Sequence, residues 1–161
     1  MKTIDKNGFT LIELIMVIII VGILAAVSIP RFAVVIRQGE AASEQGVITQ
    51  IVDGLETWGM EEFMDTGLKS WPDNPFEVLA TISFDYDSSN TDITSLTGGD
   101  WIFTGDKDLT YENISLANAI VHRRVEDTLS VWIYDPSDGS ISHGDTPYLP
   151  YTKIFKGDLA Q

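Results

Sequence analysis

Between Phe9 and Ile29 lie 21 residues, of which only Glu13 is ionisable. A carboxylate in so apolar a run costs on the order of 2.5–3.5 kcal/mol on membrane-insertion scales and is seldom found without a partner. The chemistry to look for is therefore a positive charge brought to Glu13. Reactive groups elsewhere are sparse. The chain has no cysteine, no Gly-x-Ser-x-Gly and no Gly-Lys-Ser or Gly-Lys-Thr phosphate cradle, and neither His122 nor His143 sits in a metal-ligand spacing. No catalytic residue is expected. Hard cations want clustered oxygens, and three Asp-rich stretches offer some: Asp135 with Asp138, Asp106 with Asp108 and Glu112, and Asp85 with Asp87 and Asp92. None follows EF-hand spacing, and hairpin turns favour Asp without any ion. No cofactor is expected, with calcium at Asp135 and Asp138 as the alternative. His122-Arg123-Arg124 is the one basic cluster beyond the N-terminal third. It reads either as a docking point for an acidic face or a surface ligand, or as local pairing with Glu126 and Asp127, where exposed pairs contribute ~0–1 kcal/mol.

The element that must position Glu13 is a membrane helix. About 20 residues rising ~1.5 Å each cross a ~30 Å hydrocarbon core, and Phe9–Ile29 has that length and polarity. Lysines before the span and acidic residues beyond it orient the N-terminus to the cytoplasm. A short polar leader with Lys2 and Lys6, then Gly8-Phe9-Thr10-Leu11-Ile12-Glu13, then an apolar helix reaching Ser28-Ile29-Pro30, resembles a type IV prepilin. The likeness is specific over residues 1–32 and loose beyond. It implies cleavage after Gly8 by a membrane-embedded aspartyl peptidase and methylation of the new amine of Phe9. Phe9 and Glu13 would then be the assembly residues, the amine of one subunit neutralising the carboxylate of a neighbour. The physics fits: such an amine, with an intrinsic pKa of roughly 7.7–8, is cationic at neutral pH, and two charges costly alone in apolar surroundings can neutralise one another.

The resemblance further implies a helical filament of identical or related pilin subunits. It implies a prepilin peptidase/N-methyltransferase and inner-membrane assembly machinery as partners, with membrane lipid around the helix before assembly. The precursor would reside in a bacterial inner membrane and the product in an extracellular pilus serving adhesion, motility or DNA uptake. Two rivals stay open: a pseudopilin of a type II secretion system, forming a periplasmic fibre, and a membrane-anchored periplasmic binding or enzymatic domain that never polymerises. A secretory signal peptide with an exit at Ala25-Ala26-Val27-Ser28 is a further reading, although the run is longer than a usual h-region and contains a carboxylate.

Composition limits the remainder. The 161 residues leave room for one modest globular domain beyond the membrane helix. The formal net charge of −14 disfavours direct contact with nucleic acid or an anionic membrane surface. Without cysteine there is no disulfide and no lipoprotein anchor, and many type IV pilins do staple their C-terminal loop with a disulfide.

Four segments follow: a leader over 1–8, a transmembrane and assembly helix over 9–29, its amphipathic continuation over 30–66 and a globular β-sheet head over 67–161. Beyond Pro30, Phe32, Val35, Ile36, Ala42, Ile48, Ile51, Val52, Leu55 and Trp58 recur at mostly three- and four-residue spacing, with Arg37, Glu40, Glu44, Gln45, Gln50, Asp53 and Glu56 largely elsewhere. One helix is predicted from about Phe9 to about Met64, ended by Asp65-Thr66-Gly67, with a kink or local melt at Ala26–Pro30 because Pro30 lacks an amide donor. Gly39, Gly46, Gly54 and Gly59 each weaken it by roughly 1 kcal/mol relative to Ala; they read as close packing or compliance in a fibre, or as tolerated cost. Asn74-Pro75-Phe76-Glu77 predicts a short capped helix through about Ala80, and it also looks like a subgroup of pilins related to mannose-sensitive haemagglutinin pili. Asp85 to Asp92 reads as polar loop. Strands are predicted at Trp101–Phe103 and Leu109–Tyr111 around a turn, and at Ala119–Val125 and Leu129–Tyr134 around Glu126-Asp127. A turn at Asp135–Gly139 precedes weaker candidates at Ser140–Ser142 and Tyr151–Phe155. The fold class is α+β, a long N-terminal helix packed on a small antiparallel sheet of about four strands.

Overall fold

The computed structural model describes residues 9–82, 84–107, 110–111, 114–125 and 128–150. The chain divides after Ser43 into two compact units. One helix, α1, runs from Leu11 to Thr66 and contributes to both.

In the N-terminal unit the helix carries apolar side chains on every side. From Leu11 to Ile29 each large apolar residue is exposed, the least being Ile15 at 38%. A helix is what such a stretch must form in lipid, where each backbone amide and carbonyl has to be paired within the segment. The helix is unbroken through Ala26–Pro30. Of the kink or local melt expected there, the melt does not occur: proline withdraws one amide donor, and the turns on both sides stay helical.

In the C-terminal unit the same helix is amphipathic. Val47, Ile48, Ile51 and Leu55 are buried, at the three- and four-residue spacing that keeps side chains on one face. Trp58, expected beside them, is only half-buried. Gly67, at φ +80°, donates to the Phe63 carbonyl at 2.9 Å and closes the helix in the left-handed conformation that glycine adopts without strain. After it, Asn74 accepts from the Phe76 amide at 3.0 Å and caps Pro75–Val78. That segment is a single 3-10 turn, shorter than the helix expected, because Leu79 is already extended.

The strands are β1 (Trp101–Phe103), β2 (Thr110–Tyr111), β3 (Ile114–Ser115), β4 (Ala119–Arg123), β5 (Thr128–Asp135) and β6 (Ser140–Pro150). The main sheet is antiparallel with order β1-β4-β5-β6, and β2 and β3 form a separate pair. The expected pairing of β1 with β2 is thus corrected: β1 lies along β4, with Trp101 opposite His122 and Phe103 opposite Ile120. Thr104 fixes this by donating its hydroxyl to the Leu116 carbonyl at 2.6 Å and accepting from the Ala119 amide at 2.8 Å. β6 extends well past Ser142. The candidate strand at Tyr151–Phe155 and the Glu126-Asp127 turn lie outside the described residues, as do Gly8, Asp108, Leu109 and Glu112.

Side chains alternate across the sheet with a period of two. Ile102, Ala119, Val121, Leu129 and Val131 join Ile93, Leu96 and Leu116 in one core. Trp101, Phe103, Ile120, Trp132 and Tyr134 face the other way and pack with Phe76 and the helix residues Val47, Ile48, Ile51 and Leu55. The alternation expected along β5, with Leu129, Val131 and Ile133 opposite to Trp132 and Tyr134, is therefore present. Helix and connecting segment approach closely at two glycines. A Cβ on Gly54 would stand 2.5 Å from Val78 Cγ2, and one on Gly59 would stand 3.0 Å from Trp71 Nε1. These two glycines serve packing within the unit, whereas nothing lies within 4 Å of a Cβ built on Gly39 or Gly46.

Candidate functional site

At the start of α1, Thr10 and Glu13 bind each other reciprocally. The Glu13 amide donates to Thr10 Oγ1 at 3.3 Å, while Glu13 Oε2 accepts from the Thr10 amide at 2.9 Å and from its hydroxyl at 2.7 Å. This is a capping box, in which the cap residue and the third helical residue each satisfy an amide left over at the helix start. The sequence carried that signal as Thr10-Leu11-Ile12-Glu13, a threonine three residues before a glutamate at the head of an apolar run. Phe9, just before the cap, is 87% exposed. Glu13 can thus sit at the head of an apolar helix with one oxygen already hydrogen-bonded to the chain's own backbone, close to the point where an amine at Phe9 would appear.

A second polar cluster lies inside the C-terminal unit. Glu44 is 3% exposed and stands on the buried stripe of α1, one turn before Ile48. Its Oε1 accepts from Ser130 Oγ at 2.6 Å and from Arg124 Nε at 2.8 Å, and its Oε2 takes the Arg124 terminal nitrogen as an ion pair. His122 Nδ1 lies 2.7 Å from Oε1. A carboxylate only accepts, so Nδ1 carries a proton and donates. Ser130 also accepts from Arg124 Nε at 3.1 Å. Burial pushes the Glu44 carboxyl up, but the hydrogen bonds from Arg124, His122 and Ser130, with the Arg124 charge, more than reverse this and hold it at about 2.

The sheet's alternation brings these groups together. His122 follows Ile120 on the helix-facing side of β4, and Ser130, paired directly with His122, precedes Trp132 on the same side of β5. His122 also stacks on Trp101 with ring centroids 4.5 Å apart. The basic triplet is therefore not an exposed docking point, and the pairing expected with Glu126 and Asp127 lies outside the described residues. His122 and Arg124 are buried on Glu44, and the Arg123 guanidinium donates to the Leu96 carbonyl on the other side of the sheet. Glu44 was placed by residue type among the solvent-facing positions; the available signal was its phase, four, seven and eleven residues before Ile48, Ile51 and Leu55.

Two of the three Asp-rich stretches carry turn chemistry, and the third, Asp106 with Asp108 and Glu112, lies mostly outside the described residues. Asp135 Oδ1 accepts from the Ser137 amide at 2.9 Å and from its hydroxyl at 2.6 Å, and Asp138 Oδ1 accepts from the Ser140 amide at 2.8 Å. The Ser137 hydroxyl, then its amide, hold the Asp135 carboxyl below the usual range. Asp87 and Asp92 bind Ser89 and Thr94 in the same manner. Among the described residues no three His, Cys, Asp or Glu side chains converge as metal ligands would.

Residues 5–29 match the family described as the prokaryotic N-terminal methylation motif. The chain is similar to a fimbrial protein of Dichelobacter nodosus, with 39% identity over 103 residues covering 57% of this chain and 61% of that one. It is similar to a type IV major fimbrial protein FimA of the same organism at 39% identity over 103 residues, with the same coverage. Another protein of that name is 44% identical over 69 residues, covering 43% of this chain and 40% of its own length. The chain thus spans about 61% of the length of the first of these curated relatives. No solved structure matches it.

Proposed function

We propose that this chain, type IV pilin-like in its methylation segment, its long helix and its antiparallel sheet, is a structural subunit of a type IV pilus filament. The observation that carries the reading is the helix from Leu11 to Ile29, exposed and apolar on every side. A surface of that kind is unstable in water and is covered either by lipid or by other helices. A precursor held in the inner membrane has the first cover, and a filament of related subunits supplies the second.

In this reading a prepilin peptidase cuts after Gly8 and Phe9 receives a methyl group on its new amine. Glu13 then meets the amine of a neighbouring copy and fixes that copy's axial position. Its capping bonds to Thr10 keep the carboxylate partly satisfied while the subunit is still in lipid. Pro30, which offers no amide to the turn before it, is where the helix bends or loosens under the strain of assembly. The role is structural, with adhesion, motility or DNA uptake as the activities such a fibre would serve, and it calls for no resident cofactor.

Intact-mass measurement on protein purified from fibres tests this. The expected species begins at Phe9 and carries one added methyl. A species that retains Met1, or that begins near Ser28, overturns the reading. Glu13→Ala is expected to abolish fibres while leaving the precursor in the membrane, and an unchanged fibre yield would remove Glu13 from assembly.

A further inference from the structure

We infer that the buried Glu44–Arg124–His122–Ser130 cluster sets the register of α1 against the sheet, and so fixes at which residue of the helix the head begins. The apolar stripe alone specifies that register only in part. If the helix slipped by four residues, Ile51, Val52 and Leu55 would take the places of Val47, Ile48 and Ile51, and Gly59 that of Leu55. Three of the incoming residues fill their places with branched aliphatic side chains, whereas Gly59 leaves that of Leu55 empty and Glu56 falls at half-buried Val52, so burial opposes the slip at one end of the stripe only.

The polar contacts discriminate strongly. In the slipped arrangement Ile48 replaces Glu44, and it is faced by His122 of β4, by Arg124 just after that strand and by Ser130 of β5. A buried guanidinium without its acid is among the most destabilising defects a core can hold. Glu44, 31 residues after Glu13 in the sequence, is also the first buried position along the helix among the described side chains. The polar groups bonded to it come from β4 (His122), from the residue that follows β4 (Arg124) and from β5 (Ser130); no other charged side chain is hydrogen-bonded to it among the described contacts. A buried ion pair often adds little net stability over an apolar replacement, and in some proteins it selects among alternatives, register being the best-attested use. Gly54 and Gly59 also oppose a slip, but through Val78 and Trp71 of the connecting segment rather than through the strands.

The functional consequence rests on the filament reading: a one-turn error would displace a head by about 6 Å from the station its neighbours require. The register itself is tested without any fibre. The chain has no cysteine, so Gln45→Cys and Ser137→Cys place spin labels at two exposed sites, one near each end of the packed helix segment. Distances are read by double electron–electron resonance on the full chain in detergent micelles. With the cluster intact, one narrow distance is expected. Glu44→Leu with Arg124→Leu is expected to keep a thermal midpoint within a few degrees of the parent while adding a second population, longer by up to about 6 Å. Glu44→Leu with Ile48→Glu, which moves the acid one turn along, is expected to shift the main distance by that amount.

A single parental distance in the first variant overturns the inference, since stripe and glycines would then suffice. Loss of the fold in that variant overturns it too, because the cluster would then supply stability rather than choice. A parental distance in the second variant overturns it as well. None of these outcomes bears on cleavage at Gly8, and fibres lacking in an otherwise single-register protein would count against the filament alone.

Discussion

At Glu44 two opposing effects meet, and the pH dependence of the head follows from which one wins. Burial raises the carboxyl, and its four hydrogen-bonded contacts with the Arg124 charge lower it further, from 4.5 to about 2. A folded value below the unfolded one means that the stabilisation is complete above about pH 4.5 and is lost as the pH falls through about 2. The difference corresponds to roughly 3 kcal/mol across that window. Thermal midpoints measured from pH 6 to pH 2 should therefore fall more steeply in the parent than in Glu44→Gln, which has no charge to lose. At neutral pH, Glu44→Ala should cost about 3–5 kcal/mol, because Arg124 remains buried without its acid. Midpoints that fall in parallel for parent and Glu44→Gln would show that acid unfolding is set elsewhere. Residue type was a poor guide at this position. Glutamate reads as solvent-facing, and only the strand-period position of His122, Arg124 and Ser130 shows that a partner set waits on the helix-facing side. Thr10 and Glu13 were legible as a spacing, and their reciprocal hydrogen bonds are local enough to need no tertiary contact.

Among the elements, the helix shows how one residue type takes opposite roles. Glycine costs a helix interior roughly 1 kcal/mol relative to alanine, so Gly46→Ala, with nothing within 4 Å of the new Cβ, should stabilise the isolated subunit by about that amount. Gly54→Ala should do the reverse. Its Cβ would stand 2.5 Å from Val78 Cγ2 and 3.0 Å from Val78 Cβ, atoms of a stiff β-branched side chain. Overpacking costs of about 1–3 kcal/mol exceed the propensity gain. Urea midpoints of the two variants, on opposite sides of the parent, would check this; a stabilised Gly54→Ala would mean that the connecting segment yields. The helix, its glycine stop at Gly67 and the β4–β5 alternation were legible because each is a local pattern in neighbouring residues. The partner of β1 was not. A turn at Gly105-Asp106-Lys107 suits a hairpin to β2, and only the burial of Trp101 and Phe103 against the helix requires β4, whose Ile120 and His122 continue the same face. The 3-10 turn at Pro75–Val78 stops early for a similar reason, its last residue being held against Gly54.

On the scale of the whole chain, an apolar segment and a strongly acidic composition impose different demands on the fibre proposed for this chain. The exposed helix from Leu11 to Ile29 drives association wherever lipid is absent. The net charge of −14 opposes close approach between assembled surfaces, and it does so within a Debye length of about 8 Å at physiological salt. Fibres should therefore stay dispersed at neutral pH and low salt and gather into bundles as the charge is titrated away. The sequence places that neutral point near pH 4.2, whereas Glu44 keeps its charge down to about pH 2. Two separate transitions are expected on acidification. Light scattering should rise near pH 4 as lateral repulsion vanishes, with the near-ultraviolet dichroism of the buried Trp101 and Trp132 still intact. The dichroism should be lost only on approach to pH 2. Returning from pH 4 to neutrality should disperse the bundles without refolding, and raising the salt at pH 7 should imitate the first transition and leave the second untouched. Scattering and dichroism that change together at one pH would mean that the heads open before their charges are neutralised, and that the Glu44 cluster does not hold the acid form of the fold.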